Sequence, residues 1–282
     1  MVNDQIAADG SAIDAMDSVP EVLVVEDDHI IGPTGSRSIL VVRVNALDAT
    51  LDPTLTPSAI STAIFDTSAG SLSVSSQLAA CSNNKLLLSP ATRTGTDIGT
   101  TGITTLDLNQ NITSQELQPS GWRSGVEGAI TMALNNKYGV SSPDELADHV
   151  MYCVPSGTLK GGNAGWLAHA YHYRTGSSFH WLSVYNDEWC TSLSAVIHEF
   201  GHNINLSHAN DMAFADSSNT NGECEDQTGH MGYSSYAATN ARKCYNGAKS
   251  WQTGWYQDRH EAIEPADLNA NCKQQIELVG IA

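Results

Sequence analysis

The segment SAVIHEFGHNINLSHAND, Ser194 to Asp211, limits the fold more tightly than any other part of the chain. Leu193, Val196, Ile197, Phe200 and Ile204 recur at three- and four-residue steps through residues 191 to 206, which predicts an amphipathic helix with one face in a core. His198 and His202 are four residues apart, so both imidazoles project from one face about a turn apart and can grip one ion. Glu199 falls beside them, close enough to touch a water at the ion yet turned away from direct ligation. His208 lies six residues past His202, a spacing that a continuing helix cannot use. The helix must therefore break, and Asn205 is where it should do so, because asparagine follows glycine in tolerance of the left-handed conformation. One extended step then returns His208 to the ion. Zinc takes nitrogen at about 2.0–2.1 Å in near-tetrahedral geometry, so Zn2+ held by His198, His202 and His208 is the expected cofactor.

The rest of the chain supplies a scaffold for that helix. SILVVRVNALD, residues 38 to 48, is β-branched and mostly apolar, as a buried strand should be. Helical patterns follow near Pro57 to Phe65 and Ser71 to Cys81, then strand-like runs at NKLLLS and ITTLDLNQNI. Residues 124 to 139 read as a helix closed by a glycine. DHVMYCVP, GWLAHAYHY and FHWLSVY are further strands, and ATNARKCYNGAKSWQTGW is a second helix candidate after the histidines. Alternation of this kind predicts an α/β sandwich with a mixed sheet. Residues 1 to 36 carry eight acids and no Lys or Arg, and read as a solvated leader with one short strand at EVLVVE; the tail from Tyr256 is irregular until the strand-like QIELVGIA.

Acidic residues outnumber basic ones 31 to 13, for a net charge of -18, so nucleic acid and anionic membrane surfaces are disfavoured partners. No apolar run is long enough to span a bilayer. The six cysteines are scattered without a CxxC pair, which argues for disulfides in an oxidising compartment and against a thiolate metal site. Their 15 possible pairings are not distinguished by spacing. MVNDQIAADG is not a signal peptide, so a secreted chain would have had its signal removed. Outside the cluster, His169, His172 and His180 lie on expected strands without ligand spacing and are read as packing or surface residues, and His230 is not read as a ligand. NIT at Asn111 can accept a glycan, whereas a glycan at Asn205 would obstruct the turn between two ligands.

HEFGHNINLSH resembles the long zinc signature H-E-x-x-H-x-x-G-x-x-H of the metzincin metallopeptidases, with Asn205 in place of the usual glycine. HMGY resembles the Met-turn that follows it, with Met231 under the zinc ligands. Within that clan LVVRV, ADHVMYC, WLSVYND, DQTGHMGYS and CYNGAKSWQTGWY resemble blocks of the gametolysin family of algal extracellular peptidases, over about residues 36 to 257. The resemblance implies a metzincin-like zincin fold of class α/β (α+β): a mixed twisted sheet, an active-site helix, a Met-turn and a C-terminal helix. It divides the chain into a leader at 1–36, a catalytic domain at 37–257 and an extension at 258–282. It also implies a secreted zinc endopeptidase acting on protein or peptide substrates, with Glu199 as general base. Tyr233 matches a tyrosine that sits beside the zinc in related families. Residues 165 to 173 match the edge strand along which substrate lies.

Two other readings compete. A catalytically silent extracellular matrix or adhesion module would keep the fold and metal but has no need of Glu199, and a hydrolase of non-peptide amides would keep the site without the family blocks. Residues 1 to 36 also suit part of a pro-segment. Their lack of cysteine leaves a carboxylate of Glu26, Asp27 or Asp28 as the group that could fill the zinc's open position.

Overall fold

A computed structural model describes residues 34–117, 125–172, 179–210, 224–232 and 243–259. The strand-forming run expected at 38 to 48 is strand β1, Gly35–Asn45, whose residues 39 to 44 alternate between two cores. Ile39 and Val41 enter one core, while Leu40, Val42 and Val44 enter the other, as the two-residue period of a strand buried on both faces requires.

Thr56 caps helix α1 (Pro57–Phe65) by accepting a hydrogen bond from the Ala59 amide, and Pro57 sits at the first helical position where its missing N–H costs nothing. A capping box between Ser73 and Ser76 starts α2, Val74–Cys81. Strands β2 (Leu86–Pro90) and β3 (Ile103–Asp107) both pair parallel with β1, β2 along its first half and β3 along its second. Helix α3, Val126–Tyr138, ends as expected in a left-handed glycine, Gly139 at φ 65°. Strands β4 (His149–Val154), β5 (Ala168–Ala170) and β6 (Leu182–Asn186) complete the sheet. Its order is β2-β1-β4-β6-β5; all pairs are parallel except β5 with β6, so the sheet is mixed and β5 is its antiparallel edge.

Helices α1 and α2 pack on one face of the sheet together with α4, Leu193–Asn203, and α3 packs on the other. The expected α/β class with a mixed sheet is therefore what the chain adopts. Among the described residues no helix is long and apolar enough to cross a membrane.

Two disulfides tie this frame together. Cys81, at the end of α2, bonds Cys244, and Cys153 of β4 bonds Cys190 in the 3-10 turn Asp187–Thr191 that leads into α4. The helix expected from residue 238 is much shorter within the described residues: α5 runs only from Gly247 to Gln252. Cys244 is held by its disulfide and Tyr245 is buried with its hydroxyl donating to the Ile197 carbonyl at 3.0 Å. Asn246 then starts the helix by accepting from the Lys249 amide at 2.8 Å. The expected strands at 21–26 and 275–282 lie outside the described residues.

Candidate metal centre

Helix α4 starts at Ser192, whose side chain caps it, directly after the turn pinned to β4 by Cys190. Val196, Ile197 and Phe200 are buried against the sheet and neighbouring helices, which anchors the face opposite the histidines. Each such side chain contributes about 1.5–3 kcal/mol on burial. At the far end the Asn203 amide donates to the backbone carbonyls of Tyr171 (3.2 Å) and Leu182 (3.0 Å), fixing α4 against β5 and β6.

The helix stops where the sequence requires. Asn205 has φ 74°, its N–H donates to the His202 carbonyl at 2.9 Å, and the Leu206 N–H donates to the Gly201 carbonyl at 2.8 Å. This pair of bonds is the Schellman termination, with asparagine in the left-handed position usually taken by glycine. The chain turns back, and the Nε2 atoms of His202 and His208 come within 3.1 Å of each other. One nitrogen from each of His198, His202 and His208 lies within 4.8 Å of the others, in an arrangement that could hold a metal ion.

Orientation of the rings is set from behind. His198 Nδ1 donates to the His230 carbonyl at 2.6 Å, and His202 Nδ1 donates to the Leu206 carbonyl at 2.8 Å. Those bonds place the protons on Nδ1 and leave the Nε2 lone pairs free to converge. Burial pushes His198 down to about 4 and, with help from the neighbouring His198, His202 down to about 2, so both favour the neutral form that ligation needs. Two nitrogens bound tetrahedrally at zinc distances stand about 3.4 Å apart, close to the His202–His208 separation. Two imidazoles with their tautomers fixed, and a third whose Nε2 lies 3.1 Å from that of His202, therefore fit zinc.

Met231 is fully buried. A Cβ on Gly201, the residue before His202, would collide with the Met231 sulfur, so the methionine packs directly on the helix backbone beside that histidine. The Ala209 N–H donates to the Met231 carbonyl at 2.7 Å, joining this turn to the strand-like return after His208. Tyr233 lies outside the described residues.

Beside the three histidines is a cleft of about 410 Å³ that also takes in Glu199, Lys160, His172 and the β5 residues Ala168 and Ala170. Glu199 is 7% exposed, and burial pushes its carboxyl up to about 8, opposed only by the charge of Lys160. A divalent cation on the histidines would pull it back toward the carboxylate.

The expectation that His169 is a packing residue agrees with its burial and its 2.7 Å contact from Nε2 to the buried Glu127, although it also borders the cleft. His172 behaves differently: its ring centroid is 4.2 Å from that of His202, and it lines the cleft. Sequence spacing missed it because it arrives from the segment after β5. His230 is buried, and its carbonyl accepts the hydrogen bond from His198 Nδ1.

No protein-family model and no curated protein matches the chain. Among solved structures it is similar to archaemetzincin from Methanopyrus kandleri, with TM-score 0.40 and 13% identity over 80% of this chain and 99% of that one. It is also similar to a chain in the structure of a chaperone-substrate complex, with TM-score 0.32 and 17% identity over 80% of this chain but 34% of that one.

Proposed function

We propose that the chain is a secreted zinc endopeptidase of the gametolysin-like kind, acting on extracellular or cell-wall proteins. The observation that carries this reading is the shared cleft: three convergent imidazole nitrogens, a buried glutamate beside them and the strand that forms the sheet edge among the described residues all face one space. His198, His202 and His208 would hold Zn2+, which supplies Lewis acidity toward a peptide carbonyl and makes water easier to deprotonate.

The protein's own groups do the remaining work. Glu199, shielded from solvent, accepts a proton from the attacking water and returns it to the leaving nitrogen, as a general base and then a general acid. Among the described residues strand β5 pairs only with β6, and its other edge would take an extended peptide, whose main chain it would align by β-augmentation. Ala168 and Ala170 carry small side chains into the cleft and leave room for those of the substrate. Tyr233 follows the Met231 turn and would donate a hydrogen bond to the carbonyl oxygen as it gains charge. The two disulfides suit an oxidising, extracellular setting.

Digestion of unfolded casein with and without chelator, alongside metal analysis, tests the reading. The expected result is one zinc per chain and cleavage that chelator abolishes. Full zinc occupancy with no hydrolysis of any peptide would support a silent matrix or adhesion module instead.

A further inference from the structure

Lys160 brings a positive charge into the cleft of a protein whose net charge is -18. It sits in the loop between β4 and β5, where its backbone is held from several directions. The Lys160 and Asn163 amides each donate to the other's carbonyl at 3.0 Å, closing a tight turn. Just before it, the Leu159 N–H donates to the Gln115 carbonyl at 2.9 Å, the Leu117 N–H donates to the Leu159 carbonyl at 2.9 Å, and the buried Trp166 indole donates to the Thr158 carbonyl at 2.8 Å. The side chain thus springs from a fixed base.

Among the described residues its ammonium has no carboxylate within ion-pair distance. The acids whose charges it feels are Glu199 and Glu127. Glu127 is already occupied, with one oxygen on His169 Nε2 at 2.7 Å and the other accepting from the Tyr171 hydroxyl at 2.6 Å. Glu199 is committed by the proposed mechanism to the attacking water. Among the described residues this half-buried cation has lost part of its hydration and has only through-space attraction to two acids, without a direct ion pair, and a ligand carboxylate would supply one. Burial also pushes the lysine pKa down, in keeping with that partial loss of water.

We propose that Lys160 is a specificity-determining residue that pairs with a carboxylate of the bound peptide, so that acidic substrates are preferred over their amide counterparts. The proposal rests on the peptidase reading. The carboxylate can belong to an Asp or Glu side chain near the cleaved bond, or to the chain end of a short peptide.

A matched peptide set distinguishes these sources and tests the idea. Glu or Gln is placed at each position flanking the cleaved bond, and each peptide is made with a free and an amidated C-terminus. For the full-length protein, kcat/KM should favour Glu over Gln at one position, or the free acid over the amide, by about tenfold. Lys160→Met should bring that ratio to about one, Lys160→Arg should keep most of it, and Lys160→Glu should turn the preference toward Lys at the same position. Ratios are compared, so a general change in rate does not enter, and zinc content and thermal midpoint establish that each variant is folded and loaded. An equal loss of kcat on every peptide with the ratio unchanged would mean that Lys160 acts on Glu199 alone, and would overturn the proposal. Binding of the same peptides to wild type and to Lys160→Met, followed by fluorescence polarisation, separates the two levels of inference. If nothing is cleaved but the acidic peptide still binds better through Lys160, the peptidase reading fails and the recognition site stands. If casein is cleaved without any carboxylate preference, the recognition site fails alone.

Discussion

Asn205 is the residue on which the turn between two proposed ligands depends, and replacing it by glycine should stabilise the protein. Three effects set the size. Asparagine at φ 74° is in a region where non-glycine residues carry strain of about 1 kcal/mol or more, though Asn carries less than most. Its side chain is 4% exposed, and among the described residues the buried Oδ1 of its amide has no hydrogen-bond partner. An unpaired buried amide oxygen costs about 1–3 kcal/mol. Against these, glycine gives the unfolded chain more freedom, worth about 0.5–1 kcal/mol, and leaves a small void. The net expectation for Asn205→Gly is a gain of about 1 kcal/mol. Asn205→Ala also removes the unpaired amide but meets the full left-handed penalty, which outweighs the chain freedom it saves, so it should be less stable than Asn205→Gly by about 1 kcal/mol. Urea unfolding of the chelated proteins measures both, and the contrast should appear as a difference of about 2–4 °C in midpoint on heating. Zinc affinity should follow the same order, since the turn delivers His208. Equal stability of the Gly and Ala variants would refute the reasoning, because it would mean that the left-handed backbone at 205 is not what the side chain answers to.

His208→Ala should weaken zinc retention measured by metal analysis, and unchanged affinity would remove His208 from the site. Glu199→Gln should keep metal and fold while losing peptide hydrolysis by at least about a hundredfold, because Gln cannot accept the proton. Replacing Cys153 and Cys190 together by alanine opens a loop of sequence separation 37, which chain entropy values at up to about 4 kcal/mol, and thiol counting on native protein should find both oxidised. Burial alone would raise the Asp97 carboxyl, but hydrogen bonds from Lys137, Tyr138 and Thr104 outweigh it and hold it at about 2 against a usual 3.8. The stabilisation is therefore complete above about pH 4 and is lost as pH falls through about 2; with the side chain 48% exposed it is worth about 1 kcal/mol after screening, and Asp97→Asn should lose that amount at pH 7. Deletion of residues 1–33, which spares β1 from Gly35 onward, should leave the fold intact and raise peptidase activity at matched zinc occupancy; equal activity would retire the latency idea.

What was legible in the sequence was whatever a single element encodes. Leu193, Val196, Ile197 and Phe200 fixed the packed face of α4 by period, and the i to i+4 spacing set His198 and His202 on the other. Even the break was readable, because few residues other than asparagine sit comfortably at positive φ. The ends were less so. The expected helix of 191 to 206 shortened to 193 to 203, since its last apolar residues, Ile204 and Leu206, are buried from within the turn rather than from the helix. Apolar spacing cannot distinguish those two ways of reaching one core. Within the described residues the helix expected after Met231 is confined to Gly247–Gln252 for a related reason, because a disulfide and a buried tyrosine hold Cys244 and Tyr245 in a non-helical path that local propensity does not register.

The cleft was hidden for a different physical reason. His172 and Lys160 come from opposite ends of the segment around β5, and neither has a neighbour in sequence that marks it. Lys160 is one of 13 basic residues, and its place depends on backbone bonds to Gln115 and Leu117 more than forty positions earlier. His172 meets His202 because the Asn203 amide clamps the carbonyls of Tyr171 and Leu182 to the end of α4. Removing that clamp therefore offers a way to move one wall of the cleft while leaving the ligands in place. Asn203→Ala should alter peptide affinity more than zinc affinity, because Asn203 reaches β5 and β6 whereas the Nδ1 bonds of His198 and His202 end on His230 and Leu206. Parallel titrations with zinc and with a fluorescent peptide measure the two. A proportional loss of both would show that edge strand and metal centre are one mechanical unit, and that the helix end, rather than the individual side chains, holds the cleft open.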